Sequence, residues 1–173
     1  MFRLTESPRL SEFERKVLKH LDAAYNLARI LMRNEQDAQD VVQEAALRAF
    51  RFFDNFRGEN SRAWFLQIVR NTSFTVLKKN RPDEMIAFDE ELHSGQTPPM
   101  DPGIALDRAQ DRQTVRAAIE QLPPEFREAI ALRELEGASY KEIADIAGVP
   151  IGTVMSRLAR ARHQLQLILS KTK

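Results

Sequence analysis

The side chains with chemical potential in this sequence are arranged for binding. The stretch "GVPIGTVMSRLARARHQL", residues 148–165, carries Arg157, Arg160, Arg162 and His163 and no Asp or Glu. A helix turns about 100° per residue. On that count Ile151, Val154, Leu158, Ala161, Leu165 and Ile168 share one face and are expected in a core. Gly152, Ser156, Ala159, Arg160 and His163 lie opposite, with Thr153 and Gln164 beside them and Arg157 and Arg162 on the two flanks. A small, polar and basic stripe suits the major groove of DNA. Small residues permit close approach, Arg160 can donate two hydrogen bonds to a guanine edge, and Arg157 or Arg162 can hold phosphates. Upstream, "SYKEIADIAGVP" reads as a short helix capped by Ser139 and turned at Gly148, so the unit is a helix-turn-helix whose second helix enters the groove. The bland alternative is a solvated basic helix in a plain bundle.

Other constellations point away from catalysis. The chain has no cysteine, which removes disulfides, thiolate zinc sites and Cys nucleophiles and fits a reducing cytoplasm. His20, His93 and His163 fall in different segments without ligand spacing, so no metal site and no cofactor is expected. "FRGEN" has one Gly and no following Lys-Ser/Thr, so it is no phosphate loop. The carboxylates of "DAQDVVQE" suit a helix start better than acid–base work, and no enzyme is expected. The N-terminus "MFRLTESPRLSEFERKVLKHL" is charged throughout, unlike a signal peptide. No apolar run approaches a membrane span, so a cytoplasmic protein without membrane insertion is expected.

These residues must be positioned by helices. Phe13, Val17, Leu21, Ala24, Ala28 and Leu31 recur every three or four residues, as on one face of a helix. "NEQDAQDVVQEAALRAFRFF" opens with Asn34 as cap and acids in its first turn, which suit the positive end of a helix dipole. Gly58 breaks the pattern, and "SRAWFLQIVRNTSFTVLKK" restarts it with Ser61 as cap. Val115, Ala118, Ile119 and Leu122 form a short helix ending at Pro123-Pro124, and "EFREAIALRELEG" is the next, closed by Gly137. No segment alternates like a strand, so the fold class is all-α. Charge divides the chain in three. Residues 1–81 hold 15 Lys/Arg against 10 Asp/Glu, residues 82–107 hold none against 7, and residues 108–173 hold 11 against 8. Gly95, Pro98, Pro99, Pro102 and Gly103 rule out a long helix in the acidic segment. It reads as a flexible linker between two small helical domains, 1–81 and 108–173, the second carrying the helix-turn-helix. Its negative charge is expected to lie against either DNA-binding face.

"LPPEFREAIALRELEGASYKEIADIAGVPIGTVMSRLARARHQL" resembles region 4 of the extracytoplasmic-function sigma factors of bacterial RNA polymerase, members of the sigma-70 family. "DAQDVVQEAALRAFRFFDNFRGENSRAWFLQIVRN" resembles their region 2. Each motif alone is moderately specific; the pair in this order is highly specific. The resemblance implies an alternative sigma factor that directs promoter-specific initiation. Its −35 contacts would come from Thr153, Ser156, Arg157, Arg160, Arg162 and His163. Arg57, Gly58, Asn60, Ser61 and Asn71 match the family's pocket for a base flipped from the −10 element, and Lys78, Lys79 and Arg81 would meet phosphates there. Trp64 could stack on a base, although its place in the helix pattern favours the core. Asp37, Asp40, Gln43 and Glu44 match the segment that binds the clamp helices of the polymerase's largest subunit; the flap of the second-largest subunit is a further implied contact. Many members have an anti-sigma partner, and no residue here proves one. Met155 stands where relatives often have Arg, and Ala159 where they have an aromatic or larger residue. No further regulatory domain is expected after Lys173. Two other readings remain: a stand-alone helix-turn-helix regulator, which leaves residues 1–81 without a purpose, and a helical interaction adaptor with no DNA role.

Overall fold

The computed structural model describes residues 7–85 and 112–172. Most of the acidic linker, including His93, lies outside them, and so does its expected contact with the DNA-binding faces. The described chain is helical throughout. In the N-terminal group, α1 (Pro8–Lys16), α2 (Leu21–Met32), α3 (Glu35–Phe52) and α4 (Ser61–Asn80) pack together. In the C-terminal group, α5 (Arg112–Glu120), α6 (Pro124–Ile130), α7 (Tyr140–Ala147) and α8 (Ile151–Lys171) do the same.

Local chemistry sets the helix boundaries. Asn34 accepts a hydrogen bond from the Asp37 amide at 2.9 Å, which satisfies one of the free donors of the first turn of α3. Pro8 and Pro124 begin α1 and α6, where a missing N–H costs nothing. Two expectations are corrected here. The residues from Phe13 to Leu31 do not lie on one continuous helix: a 3₁₀ turn at Leu18–His20 separates α1 from α2. That turn advances about three residues rather than 3.6 per revolution, so the register shifts and Leu21 is exposed while Val17 stays buried. The cap of α4 is Asn60, which accepts from the Ala63 amide at 3.0 Å; Ser61 is the first helical residue. α6 runs on into a π-helical turn, Ala131–Leu135, before Gly137 takes φ +63°.

The two groups share one apolar core, with α2 and α4 facing α6 and α7. Charged residues stitch this seam. Arg127, 1% exposed, donates Nη1 to the Leu122 carbonyl at 2.7 Å and Nη2 to the Leu31 carbonyl at 3.0 Å. Leu31 belongs to the last turn of α2, whose carbonyls lack helical partners, so Arg127 caps α2 from across the seam. Burial, then the positive charge of Arg33, pulls the Arg127 guanidinium down to about 10, and it remains a cation at neutral pH. Beside it Glu128, 1% exposed, accepts from Arg70 Nε at 2.7 Å, while its Oε2 meets no donor. Burial raises the Glu128 carboxyl above its ordinary range, and Arg70 opposes that shift. Further out, Arg62 Nη2 donates to the Glu136 backbone carbonyl and reaches its Oε2 at 3.3 Å, Asn26 donates to Glu136 Oε1 at 2.9 Å, and Arg29 meets Glu120 at 3.4 Å.

Arg127→Met removes two charge-assisted hydrogen bonds and leaves two carbonyls unpaired. It should lower unfolding free energy by about 2–4 kcal/mol in urea titrations. Glu128 has its own pH signature. With its native value raised above the unfolded one, the native state binds more protons between those two values, so stability falls as pH rises through that window. Glu128→Gln should flatten that part of the pH–stability curve, and an unchanged slope would exclude Glu128 as its source.

Candidate nucleic-acid interface

The helix-turn-helix assembles as its sequence requires. Ser139 accepts from the Glu142 amide at 3.1 Å and caps α7. Gly148 ends α7 at φ +69°, a left-handed conformation in which a Cβ is strained. Pro150 then leads into α8. Val154, Leu158, Ala161 and Leu165 are buried against α5, α6 and α7 and fix the rotation of α8. Gly152 and His163 are exposed; Thr153, Met155, Ser156, Ala159, Arg160 and Arg162 are half-buried.

Two side chains sit otherwise than their helical position predicts. Ile151 is exposed, because α8 begins at this residue and its first turn projects past the core. Arg157 is buried, and its charge favours the Glu128 carboxylate. Arg157 is therefore not on the exposed flank assigned to phosphates. Arg162 does flank the stripe, paired with Glu134 at 3.0 Å. Ser156 donates its hydroxyl to the Thr153 carbonyl at 3.0 Å.

On the N-terminal group, the loop between α3 and α4 forms an open cavity of about 400 Å³. Arg57, Gly58 and Asn60 line it, with Asn55, Phe56, Glu59, Ala63, Trp64 and Gln67. Trp64 is half-buried and packs on Phe56 with ring centroids 4.8 Å apart, so it belongs to the core edge and to the cavity wall together. A Cβ on Gly58 would come within 3.1 Å of the Phe56 ring, so glycine lets the loop lie against the aromatic pair. Ser61 does not line the cavity; its hydroxyl lies 3.4 Å from His20 Nε2. Burial, then Lys19 and Arg62, lowers the His20 imidazole below its ordinary value. Asn71 is exposed further along α4 and accepts from Arg70 at 3.4 Å. Lys78, Lys79 and Arg81 are exposed at the end of α4. The structure therefore gathers Arg57, Gly58 and Asn60 and leaves Ser61, Asn71 and the basic cluster apart from them.

On α3, Asp40, Gln43 and Glu44 are exposed and Asp37 is half-buried. Gln36 donates to Asp40 at 3.0 Å and Arg48 to Glu44 at 3.0 Å. Exposed Leu47 and Phe52 follow on the same helix. Sequence reasoning missed Asp145, which reaches the cavity from α7, and the Arg70–Glu128 pair. A lone Asp in an amphipathic helix carries no signal for either. Among the described residues no group of acids and histidines could hold a metal ion, and no helix is long and apolar enough to cross a membrane.

An all-helical chain with an acidic helix face, an aromatic-walled cavity beside a basic helix end, and a helix-turn-helix defines a DNA-binding transcription protein. Family comparison makes this specific. Residues 17–82 match the model for sigma-70 region 2 and residues 112–165 the model for sigma-70 region 4. The RNA polymerase sigma-H factor of Pseudomonas aeruginosa is 37% identical over 91% of this chain and 86% of its own length. The sigma-E factor of Escherichia coli K12 is 39% identical over 75% and 72%. The factor SigE of Mycolicibacterium smegmatis is 33% identical over 94% of this chain, which spans 63% of that relative's length. Among solved structures, the sigma factor RpoE of Bartonella quintana, crystallised with the anti-sigma factor NepR, is 30% identical with a TM-score of 0.71 over 94% of this chain and 99% of that one. CnrH, in complex with the cytosolic domain of CnrY, is 25% identical with a TM-score of 0.67 over 95% of this chain and 91% of that one. The chain belongs to the sigma-70 family and is an alternative RNA polymerase sigma factor of the extracytoplasmic-function class.

Met155 lies at the edge of the polar stripe and cannot donate a hydrogen bond. Met155→Arg should tighten −35 duplex binding. A phosphate contact would raise affinity on all sequences and steepen the salt slope by roughly one unit; a base contact would instead add a preference of about 1–3 kcal/mol at one position. Selection from a randomised −35 library at two salt concentrations separates these, and no change in either would mean that position 155 faces away from DNA.

Proposed function

We propose that this sigma factor divides its work among three surfaces. The exposed face of α3, with Asp40, Gln43 and Glu44 and with Asp37 at its edge, binds the basic clamp helices of the polymerase's largest subunit. The cavity beside Arg57, Gly58 and Asn60 receives a base extruded from the −10 strand, with Ser61 and Asn71 flanking it and Lys78, Lys79 and Arg81 along the phosphates. Flipping costs a few kcal/mol, which stacking and hydrogen bonds in a pocket can offset. The helix-turn-helix of α7 and α8 reads −35 duplex through Thr153, Ser156, Arg160 and His163, with Arg162 at its flank. Arg157, buried in this fold, joins them only by turning outward. The domain boundaries that fit this division are 1–81 and 108–173, with residues 82–107 joining them.

The protein does no covalent chemistry itself; polymerisation belongs to the core enzyme, and the site of action is the cytoplasm. The flap of the second-largest polymerase subunit is a further contact. An anti-sigma factor fits as a regulatory partner, supported by the Bartonella quintana sigma factor crystallised with one.

The observation that carries this reading is the presence on one chain of an open cavity of about 400 Å³ at the α3–α4 loop and of a helix-turn-helix that follows a 26-residue stretch between Met85 and Arg112. Run-off transcription of host genomic DNA by core polymerase with and without the protein, followed by mapping of start sites, tests it. New start sites sharing two spaced elements are expected, and an unchanged start-site map refutes the reading. Reversing two exposed acids with Asp40→Lys and Glu44→Lys should abolish co-purification with core polymerase at unchanged helix content. Normal assembly by the double variant would remove α3 from the interface.

A further inference from the structure

The cavity between α3 and α4 is walled by a loop that little burial holds in place. Arg57, Gly58, Glu59 and Asn60 are all exposed, so their course must be set at the two ends of the loop. At the far end Asn60 caps α4. At the near end the Phe56 amide donates to the Phe53 carbonyl at 3.0 Å, and the Phe56 ring lies against Trp64. Phe53 opens the 3₁₀ turn Phe53–Asn55, which leaves α3 and delivers Asn55 to the cavity wall.

That turn is gripped from α1, which lies ahead of residues 17–82, the segment that matches sigma-70 region 2. Two side chains a helical turn apart make the grip. Phe13, buried, meets the Phe50 ring edge-on with centroids 5.1 Å apart and the Phe53 ring likewise at 5.3 Å. Arg9 makes three contacts with the same stretch. Its Nη2 donates to the Phe50 carbonyl at 2.7 Å, its Nε donates to Asp54 Oδ1 at 3.0 Å, and its guanidinium carbon lies 4.3 Å from the centre of the Phe50 ring. Phe50 belongs to the last turn of α3 and Asp54 to the turn that follows, so one side chain spans the junction. A planar guanidinium can hold two acceptors and a ring face together, which a point-like ammonium cannot. The Asp54 pair alone contributes little, because Asp54 is exposed. The carbonyl bond is partly buried and charge-assisted, and a cation there also suits the negative end of the helix dipole.

We propose that Arg9 is a positioning residue of the base cavity. By fixing the Phe50 carbonyl and Asp54 it sets where the chain leaves α3. Through Phe53 and Phe56 that setting passes to the ring against Trp64 and to the loop of residues 57–60. This role rests on the function assigned above. A loop already in its binding conformation loses less freedom when its ligand arrives, so Arg9 contributes to strand capture without touching DNA.

Trp64 is the chain's single tryptophan, so its emission reports on the cavity wall directly. Arg9→Gln is compared with the native chain and with Glu12→Gln, which removes the exposed Lys16–Glu12 pair of the same helix. Each full-length chain is assembled with core polymerase. The probe is the single-stranded non-template −10 DNA of a start site mapped by run-off transcription, together with a series in which each base in turn is replaced by an abasic site. The native holoenzyme should show a position at which loss of the base weakens binding. Arg9→Gln should weaken binding to the intact strand about five- to tenfold, part of what a stacked base contributes. On the strand abasic at that position it should lose little more, because both changes remove the same interaction. In the free chain, Arg9→Gln should make Trp64 more open to quenching by acrylamide at unchanged helix content, and Glu12→Gln should match the native protein in every measurement. Strand binding by Arg9→Gln within about twofold of native, the usual scatter for uncoupled sites, overturns the proposal. An equal loss on intact and abasic strands also overturns it, since that marks a general weakening of the fold, and so does the same loss with Glu12→Gln. A native holoenzyme indifferent to every abasic site refutes instead the assignment of the cavity to an extruded base.

Discussion

The fold turns on two neighbouring residues of α6 that are charged and buried together. Arg127 and Glu128 point to different partners across the same seam: Arg127 holds the last turn of α2, and Glu128 holds Arg70 on α4. Ions in a protein interior are costly unless paired and hydrogen-bonded. Neither residue could remain there if the N-terminal helices moved away without water taking their place. Their burial makes the two helical groups one body, although each has its own capped helices and its own apolar stripes.

That seam also decides what α8 can offer to DNA. The spacing of Val154, Leu158, Ala161 and Leu165 sets the rotation of the helix, and it is followed closely. Rotation alone places Arg157 on a flank. In the fold Arg157 is buried instead, and its positive charge is among those that lower the Glu128 carboxyl. The stripe left outside is Gly152, Thr153, Ser156, Arg160 and His163 with Arg162 at its side, less basic than the sequence indicates. A charge pattern read from sequence counts each cation as available to a ligand, whereas the folded chain supplies partners from distant positions.

The same distinction separates what was legible in the sequence from what was not. Caps and turns are local, and Asn34, Ser139, Gly137 and Gly148 act as their residue types demand. The family relationship was legible because it resides in long contiguous motifs. The break after α1 was not, because no Gly or Pro marks it and the shift from α to 3₁₀ winding leaves the apolar spacing nearly intact. Asn60 rather than Ser61 as cap differs by one residue between two good capping types, and propensity does not separate them. Ser61 instead faces His20, a contact 41 positions away along the chain. Asp145 acquires meaning only when α7 meets the loop before α4, and Arg70 only when Glu128 of α6 reaches it.

Composition bears on why the two helical groups meet through ion pairs. The N-terminal group is basic, and a purely basic surface would favour any nucleic acid without regard to sequence. Glu120, Glu128 and Glu136 neutralise part of that surface from inside the same molecule. The pairs are intramolecular, so they form at high effective concentration and are not diluted away.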